Sequence, residues 1–452
     1  MTVNKRFVAV ELFSAGICNL ECRYCYIPKT PSLSKIHKDI LSKIENDTFL
    51  NEMKDMYGES LECISHWGTE PTLTLDIFTK NRFYEKALKM FPNLNSISMS
   101  SNFMTNPSIL VNFINSFPEH EKPITFGIQM SLDGPDWITD KNRCNSATLK
   151  IIENIYKFID EINAIGLKKN NIVSLHFKST HYKEEIRILM DKNKVIEYCD
   201  FFENICKTIS EKNKIIRFGN TCSPTLVYPG TYEVQDGKNY AVYTKNFHDI
   251  HKEKRYKYAN FVPQSLGYFH ETLKVCDLIH TNNAQCGCSA GRSQLALSHK
   301  KDIMPCHRTF YMNDELYDKT FPEFFKDNDY YYGYELHRDD IMKKIFLGSD
   351  EKSIENMQYV YAGYHDFHKL KLSNTYSLIK EMSDCGLISE QYKTDDFMSL
   401  LFSIMLCRRE CSVDNILTTG SIHIIPATSI KVFGNGVFDF YYNQLLGKEK
   451  CQ

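Results

Sequence analysis

The chain contains 452 residues, and its 54 lysines and arginines against 56 aspartates and glutamates give a net formal charge of −2. This balance excludes a nucleic-acid-binding protein that depends on bulk positive charge. A hydrophobic fraction of 42%, with 13% aromatic residues, excludes a disordered polyelectrolyte. At roughly 100–200 residues per domain, the length favours two domains or three small ones.

No segment predicts export or membrane insertion. The N-terminal residues lack the basic and apolar regions of a signal peptide, and no run approaches the ~18 apolar residues of a membrane span. We therefore expect a cytoplasmic protein with no membrane partner. Its sixteen cysteines are then kept reduced, and clustered cysteines in such a protein bind metal more often than they form disulfides.

Short apolar segments alternate with longer amphipathic ones through the first half of the chain. The predicted strands cover 7–13, 61–67, 97–101, 124–132, 172–178 and 215–219, and the predicted helices cover 39–57, 76–90, 107–117, 148–165 and 182–209. Six strands alternating with helices predict an α/β fold with a parallel sheet, either doubly wound or a partial (β/α)6 TIM-like barrel. In both folds, functional side chains gather where the strands end.

Beyond about residue 225 the alternation fades into sequence rich in turns, aromatic residues and polar residues. We therefore divide the chain into a first domain, 1–225, and a smaller region of mixed α+β structure, 226–452. Within the second region, 293–305 predicts a β-hairpin that turns at 300–302. Because a hairpin brings its ends together, Cys288 and Cys306 are candidates to share a metal.

The sharpest motif follows the first predicted strand, where Cys18, Cys22 and Cys25 have C-x3-C-x2-C spacing. Soft sulfur ligands in one short loop favour an iron–sulfur cluster or zinc. A four-iron cluster held by three cysteines leaves one iron without a protein ligand, so a reacting group can bind there. Catalytic zinc sites differ from structural ones in the same way, because they keep one coordination position open. The alternatives are a structural zinc site with His37 as fourth ligand, and chance clustering of buried cysteines.

With Tyr24 directly before the last cysteine, this loop resembles the radical S-adenosylmethionine (SAM) superfamily. The resemblance implies a [4Fe-4S] cluster held by Cys18, Cys22 and Cys25, with SAM bound to the fourth iron. It also implies that an external electron donor, such as flavodoxin or ferredoxin, drives reductive cleavage of SAM. The resulting 5′-deoxyadenosyl radical would abstract a hydrogen from the substrate.

Polar motifs after the next three predicted strands resemble SAM-contacting segments of that superfamily. The sequence HWGTEP at 66–71 is similar to its GGEP segment with one glycine replaced, SSN at 100–102 to its S-x-N segment, and SLDGP at 131–135 to a segment of its peptide-modifying members. The residues thereby implied in cofactor binding are Tyr24, Gly68, Glu70, Ser101, Asn102 and Ser131.

Asp133, within the SLDGP segment, is our first candidate catalytic residue. The Asp-Gly-Pro sequence is also ordinary turn chemistry, so a structural role is the alternative. Arg143 follows it and is expected to pair either with a ligand carboxylate or with a carboxylate of the protein.

The later cysteines resemble the SPASM/twitch extension of radical SAM enzymes that modify peptides and proteins. The sequence departs from that extension in two places: lysines replace the usual glycine of the hairpin turn, and only a C-x3-C pair remains of a longer cysteine run. The resemblance therefore implies one auxiliary [4Fe-4S] cluster rather than two. Its ligands are drawn from Cys276, Cys286, Cys288, Cys306, Cys407 and Cys411, with Cys288, Cys306, Cys407 and Cys411 as our choice.

Buried or zinc-bound cysteines are the alternative to that auxiliary cluster. His307 follows a presumed ligand and is our second candidate catalytic residue, placed to remove a proton from the substrate.

Together these observations predict a radical SAM enzyme whose substrate and partner is a peptide or protein. The first alternative is a radical SAM enzyme acting on a small metabolite, and the second is a zinc-stabilised binding protein without catalysis. Because the first predicted strand begins near residue 7, we expect no leader-binding domain before the barrel. That expectation either weakens the case for a peptide substrate or implies a separate recognition protein. No nucleic-acid partner is expected.

Overall fold

The computed structural model describes residues 8–25, 27, 29–168 and 171–226, parts of 239–261, and residues 294–299, 303–304 and 307. The strands are β1 (Ala9–Ala15), β2 (Cys63–Gly68), β3 (Ser96–Ser101), β4 (Ile124–Ser131), β5 (Asn171–His181), β6 (Arg217–Leu226), β7 (Asn260–Phe261), β8 (Gln294–Leu297) and β9 (Ile303–Met304). The helices are α1 (Pro31–Glu45), α2 (Thr48–Tyr57), α3 (Leu75–Lys80), α4 (Phe83–Met90), α5 (Ser108–Ser116), α6 (Asp136–Asn142), α7 (Ala147–Ile165), α8 (Lys183–Ile188) and α9 (Lys192–Lys212).

Among the described residues, these strands form one sheet in the order β7-β6-β5-β4-β3-β2-β1-β8-β9. Every pairing from β7 across to β8 is parallel, and the β8–β9 pair is antiparallel. Right-handed crossovers that never reverse direction place their helices on the same face of the sheet. The winding of β1 to β6 is therefore that of a barrel and not of a doubly wound sheet. The predicted α/β fold class, a partial TIM-like barrel, is confirmed.

Side-chain burial alternates along β4 and distinguishes the two faces of the sheet. Its even-numbered residues from Ile124 to Met130 are buried, whereas the odd-numbered residues from Thr125 to Ser131 are half-buried. The buried set packs with the helices in the core, where each large apolar side chain contributes about 1.5–3 kcal/mol. The opposite face, called the polar face below, carries side chains that include Ser65, Ser98, Ser100, Gln129, His176 and Lys178.

Three predicted helices are divided in the structure. Asp47 adopts a left-handed φ of 57° and separates α1 from α2, and aspartate accepts that conformation more readily than most residues do. Arg82, with a φ of 51°, likewise separates α3 from α4. Between α8 and α9, the side chain of Asp191 accepts a hydrogen bond from the backbone of Asn193 and starts a new helix.

The chain beyond residue 225 adds strands to both edges of the sheet. The antiparallel pairing of the predicted hairpin is confirmed, since Ala296 of β8 lies opposite Met304 of β9. Its predicted turn at 300–302 lies outside the described residues. Strand β8 also pairs in parallel with β1, and β7 pairs in parallel with β6. The boundary at residue 225 stays a prediction. None of the described helices is long and apolar enough to cross a membrane.

Candidate functional site

The three cysteines of the C-x3-C-x2-C motif lie on the loop that leaves the C-terminal end of β1. The loop turns tightly, because the backbone N–H of Cys25 donates to the carbonyl of Cys22 over 2.9 Å. Cys18 and Cys22 are half-buried and Cys25 is exposed. Because parallel strands end at one edge of a sheet, this cysteine loop shares its edge with the turns after β2, β3 and β4.

The thiols of the cysteine loop interact electrostatically with one another. Burial raises the pKa of all three, to about 12 for Cys22. The charges of Cys25 and Cys18 raise the pKa of Cys22 further, so the three sulfurs lie within electrostatic reach of each other. Such thiols stay protonated near neutral pH until a metal displaces the proton.

The loop offers three thiols, the donor type that iron–sulfur clusters and zinc both take. Among the described residues, no group of three His, Cys, Asp or Glu side chains that could hold a metal ion is found. His37, the proposed fourth zinc ligand, accepts the backbone N–H of Gly16 at Nδ1 over 3.3 Å.

The turn after β2 holds the first residues of the cysteine loop. The backbone N–H of Thr69 donates to the carbonyl of Ala15 over 3.1 Å, and that of Glu70 donates to the carbonyl of Ile17 over 3.2 Å. The Thr69 hydroxyl also donates to the Ile17 carbonyl. Thr69 therefore adds a side-chain contact to the loop.

Gly68 and Glu70 occupy positions dictated by neighbouring backbone. Gly68 has a φ of 122°, and a Cβ there would lie 2.2 Å from the carbonyl oxygen of Ala15, so no larger residue fits. Glu70 is buried, and its carboxylate accepts the hydroxyl of Thr72 over 2.6 Å and the backbone N–H of Asn102 over 2.8 Å. Burial raises the pKa of Glu70. Its carboxylate fastens the turn after β2 to the turn after β3.

Asn102 joins the turn after β3 to the cysteine loop. Its Nδ2 donates to Oδ1 of Asn19 over 2.8 Å and lies 3.9 Å from Sγ of Cys18. The backbone N–H of Leu20 also points at that sulfur, from 3.4 Å. N–H groups directed at a thiolate stabilise its charge and are typical of iron–sulfur sites.

The two serines implied in cofactor binding are placed differently. Ser101 is buried, and its hydroxyl oxygen accepts the backbone N–H of Phe103 over 3.0 Å, so this serine shapes the turn. Ser131 ends β4 on the polar face, in register with Lys178 of β5. Of the two, Ser131 is the better placed to touch a ligand.

Asp133 is the centre of a buried hydrogen-bond network. Its fully buried carboxylate accepts the Tyr24 hydroxyl over 2.8 Å, Nε and Nη2 of Arg143 over 2.9 and 3.0 Å, and the backbone N–H of Thr180 over 3.0 Å. These four donors occupy the oxygens that a catalytic base would offer to a substrate. We therefore infer a positioning role for Asp133 where the sequence predicts a catalytic one.

Arg23 anchors the middle of the cysteine loop to the same region. Its backbone N–H donates to the carbonyl of Asn142 over 2.9 Å, and its Nε donates to Oδ1 of that residue over 2.6 Å. Its guanidinium also pairs with the fully buried carboxylate of Glu185. Since leaving that carboxylate unpaired would be costly, Arg23 fixes the loop against α6 and α8.

A row of polar side chains crosses the polar face beside the site, and Gln129 within it is a residue that the sequence reasoning missed. The Ser100 hydroxyl donates to Oε1 of Gln129 over 2.8 Å, and the Gln129 amide nitrogen lies 3.3 Å from Nε2 of His176. Ser100 and Gln129 lie two residues before Asn102 and Ser131, about 7 Å along their strands. The signal was the alternation along strand β4, where Thr125, Gln129 and Ser131 lie on one face with Gly127.

His307, the second candidate catalytic residue, lies on the polar face beside β1. The Glu11 carboxylate accepts the backbone N–H of His307 over 2.7 Å and lies 2.9 Å from its Nδ1, and the imidazole is 5.3 Å from the Trp67 ring. Burial raises the pKa of Glu11, but the His307 charge and hydrogen bonds outweigh burial and lower it. The sequence analysis did not predict Glu11 as a site residue. A single carboxylate within an otherwise apolar strand is nevertheless a sign of a buried charged group that needs a partner.

The predicted ligands of an auxiliary cluster, Cys288, Cys306, Cys407 and Cys411, lie outside the described residues, as do Cys276 and Cys286.

No protein-family model and no curated protein matches the chain. Solved structures similar to it include hexahistidine-tagged anSMEcpe with bound AdoMet, at 14% identity over 98% of this chain and 94% of that chain, with a TM-score of 0.49. Native anSMEcpe with bound AdoMet is 14% identical over 97% and 98% of the two chains, with a TM-score of 0.47. The same protein with AdoMet and the Kp18Cys peptide has equal identity and coverage and a TM-score of 0.46. At these identities and TM-scores the likenesses carry no weight for function.

Proposed function

We propose that the chain is a radical SAM enzyme that modifies a peptide or protein side chain. The observation that carries this proposal is the cysteine loop itself. Three thiols lie on the loop after the C-terminal end of β1, and N–H groups point at the sulfurs of Cys18 and Cys22. That placement is where parallel α/β sheets support catalysis.

Cys18, Cys22 and Cys25 would hold a [4Fe-4S] cluster. When bound, the cluster and SAM would supply one-electron cleavage of SAM and a 5′-deoxyadenosyl radical. The residues of the chain hold the loop in place, orient the ligands and exclude water and competing reactions. An external donor such as flavodoxin or ferredoxin would provide the electron.

The turns after β2, β3 and β4 would form the SAM site. In this proposal Glu70 and Ser101 maintain the shape of the turns, since their side chains bond within the protein. Gly68 lets the turn after β2 approach β1, and Tyr24 holds the cysteine loop to Asp133. Asn102 likewise bonds within the protein, to Asn19 and to the backbone N–H of Met104. The polar side chain best placed to touch SAM is then Ser131, together with exposed backbone groups.

The polar face would receive the substrate. A peptide offers backbone donors and acceptors, and the row of Ser100, Gln129 and His176 supplies both kinds of partner. His307, held by Glu11, is the candidate to take a proton from the substrate. An auxiliary cluster on Cys288, Cys306, Cys407 and Cys411, and a cytoplasmic location, belong to the same proposal.

Anaerobic turnover tests this function. Protein purified and reconstituted without oxygen, then given SAM and dithionite, should release 5′-deoxyadenosine and methionine, and a Cys22→Ala variant should release neither. A full iron and sulfide complement without 5′-deoxyadenosine would count against the enzyme. Stoichiometric zinc without iron would favour the zinc-stabilised binding protein.

The substrate class needs a second assay. Short peptides encoded next to this gene, incubated with the active enzyme, should change in mass and raise the yield of 5′-deoxyadenosine. A mass change confined to small metabolites would favour the first alternative instead.

A further inference from the structure

Arg143 brings a buried positive charge to the cysteine loop. The residue is buried, and its Nε and Nη2 both donate to Asp133. This fork fixes the guanidinium plane and leaves Nη1 directed at Sγ of Cys22, 4.0 Å away. The ring of Tyr24 lies under the guanidinium, 5.7 Å from ring centroid to Cζ, which further fixes its place.

The two charges of this pair lie at different sides of the guanidinium. Asp133 accepts from Nε and Nη2, whereas Nη1 faces the Cys22 sulfur, so the positive end of the pair is the end directed at that sulfur. Both partners are buried, where charges are screened far less than at the surface. The pair is therefore a fixed dipole with its positive end toward the metal ligand.

We propose that the Arg143–Asp133 pair sets the reduction potential of the cluster held by Cys18, Cys22 and Cys25. The inference rests on the proposed function. Uptake of one electron makes the cluster and its thiolates more negative, and a fixed positive charge at the Cys22 sulfur stabilises that reduced state. Hydrogen bonds and charges near the sulfurs are the means by which a protein tunes such potentials.

The test is an anaerobic redox titration of the cluster, without SAM, followed by electron paramagnetic resonance. Arg143→Gln removes the positive charge and should shift the midpoint potential to a lower value. Asp133→Asn removes the opposing negative charge and should shift the potential to a higher value. Lys141→Gln is the matched control, because it removes a cation from α6 whose side chain is 47% exposed and pairs with Glu185; it should leave the potential unchanged.

Opposite shifts separate this proposal from a merely structural role, because damage to the loop would move both variants in the same direction. Shifts of the same sign, or no shift in variants that retain the cluster, would overturn it. If Arg143→Gln cannot hold the cluster, the midpoint potential of Asp133→Asn decides the question. A higher potential supports the proposal, and an unchanged or lower potential overturns it. Loss of the cluster from both variants would overturn the proposal and leave the pair with a role in folding. Iron and sulfide content of the unaltered protein reports separately on the proposed function.

Discussion

The hydroxyl of Tyr24 donates to Oδ2 of Asp133 over 2.8 Å and joins two residues 109 positions apart in the chain. This bond fastens the end of the cysteine loop to the turn after β4. The backbone carbonyl of Asp133 lies in turn 2.9 Å from Nε2 of His181, at the end of β5. The position of the loop is therefore set by buried contacts with distant strands as well as by its own tight turn.

Removing the Tyr24 hydroxyl should weaken the fold measurably. A hydrogen bond to a buried charged group is worth about 1.5–3 kcal/mol, so Tyr24→Phe should lower the free energy of unfolding by about that amount. Urea unfolding of the cluster-free protein measures it. Tyr256→Phe is the control, because that hydroxyl donates to the exposed Asp200 over 2.8 Å and should contribute far less. Equal losses in the two variants would contradict a stabilising bond between Tyr24 and Asp133.

Gly68→Ala should disrupt the edge of the sheet that carries the site. The new Cβ would approach the Ala15 carbonyl at 2.2 Å in a backbone with a φ of 122°, so strain and overpacking together should cost about 3 kcal/mol or more. Gly166→Ala is the control for backbone strain alone. Gly166 has a φ of 78°, and nothing lies within 4 Å of the new Cβ, so this variant should lose only about 1 kcal/mol. Thermal unfolding of both variants makes the comparison, and a milder effect at position 68 would refute the close approach.

His66 should make the stability of the protein fall in acid. Burial lowers its pKa from 6.5 to about 3, and Nε2 bonds to the Tyr84 hydroxyl in the core. The unfolded chain therefore binds a proton at a higher pH than the folded chain does. Stability from neutral His66 is present above pH 6.5 and is lost as the pH falls toward 3, by about 1.4 kcal/mol per pH unit.

Comparing the unaltered protein with His66→Gln isolates this contribution, since glutamine retains an acceptor for Tyr84 and does not titrate. Denaturant unfolding between pH 7 and pH 4 should show the unaltered protein losing stability faster than the variant. Parallel curves would mean that His66 is solvated or already charged in the folded state.

Asn102→Asp should weaken retention of the proposed cluster. The side chain lies 3.9 Å from the Cys18 sulfur, so an added carboxylate would repel the thiolate in a partly buried site. Iron loss to a chelator should be several-fold faster than in the unaltered protein. Asn106→Asp adds the same charge at an exposed position of the same turn region and should leave the rate unchanged. An equal rate of iron loss in the two variants would show that Asn102 does not lie beside the cluster.

The parallel sheet could be predicted because each of its first six strands is a short apolar run in the sequence. The ends of those runs also predicted where the polar turns of the site lie. The sequence could not show that Asp47 would interrupt a helix by adopting a left-handed conformation, since many aspartates do not. It also could not show that β8 would pair with β1 across nearly the whole described chain. The sequence reveals the carboxylate of Asp133 but not the four donors that surround it.

The most direct test of the central claim is the iron and acid-labile sulfide content of anaerobically purified protein. Each of Cys18→Ala, Cys22→Ala and Cys25→Ala should contain about four irons and four sulfides fewer than the unaltered protein, the content of one cluster. Cys199→Ala, which removes a buried core thiol, should retain the full complement. Unchanged iron in the three loop variants, or zinc in place of iron in the unaltered protein, would contradict the account.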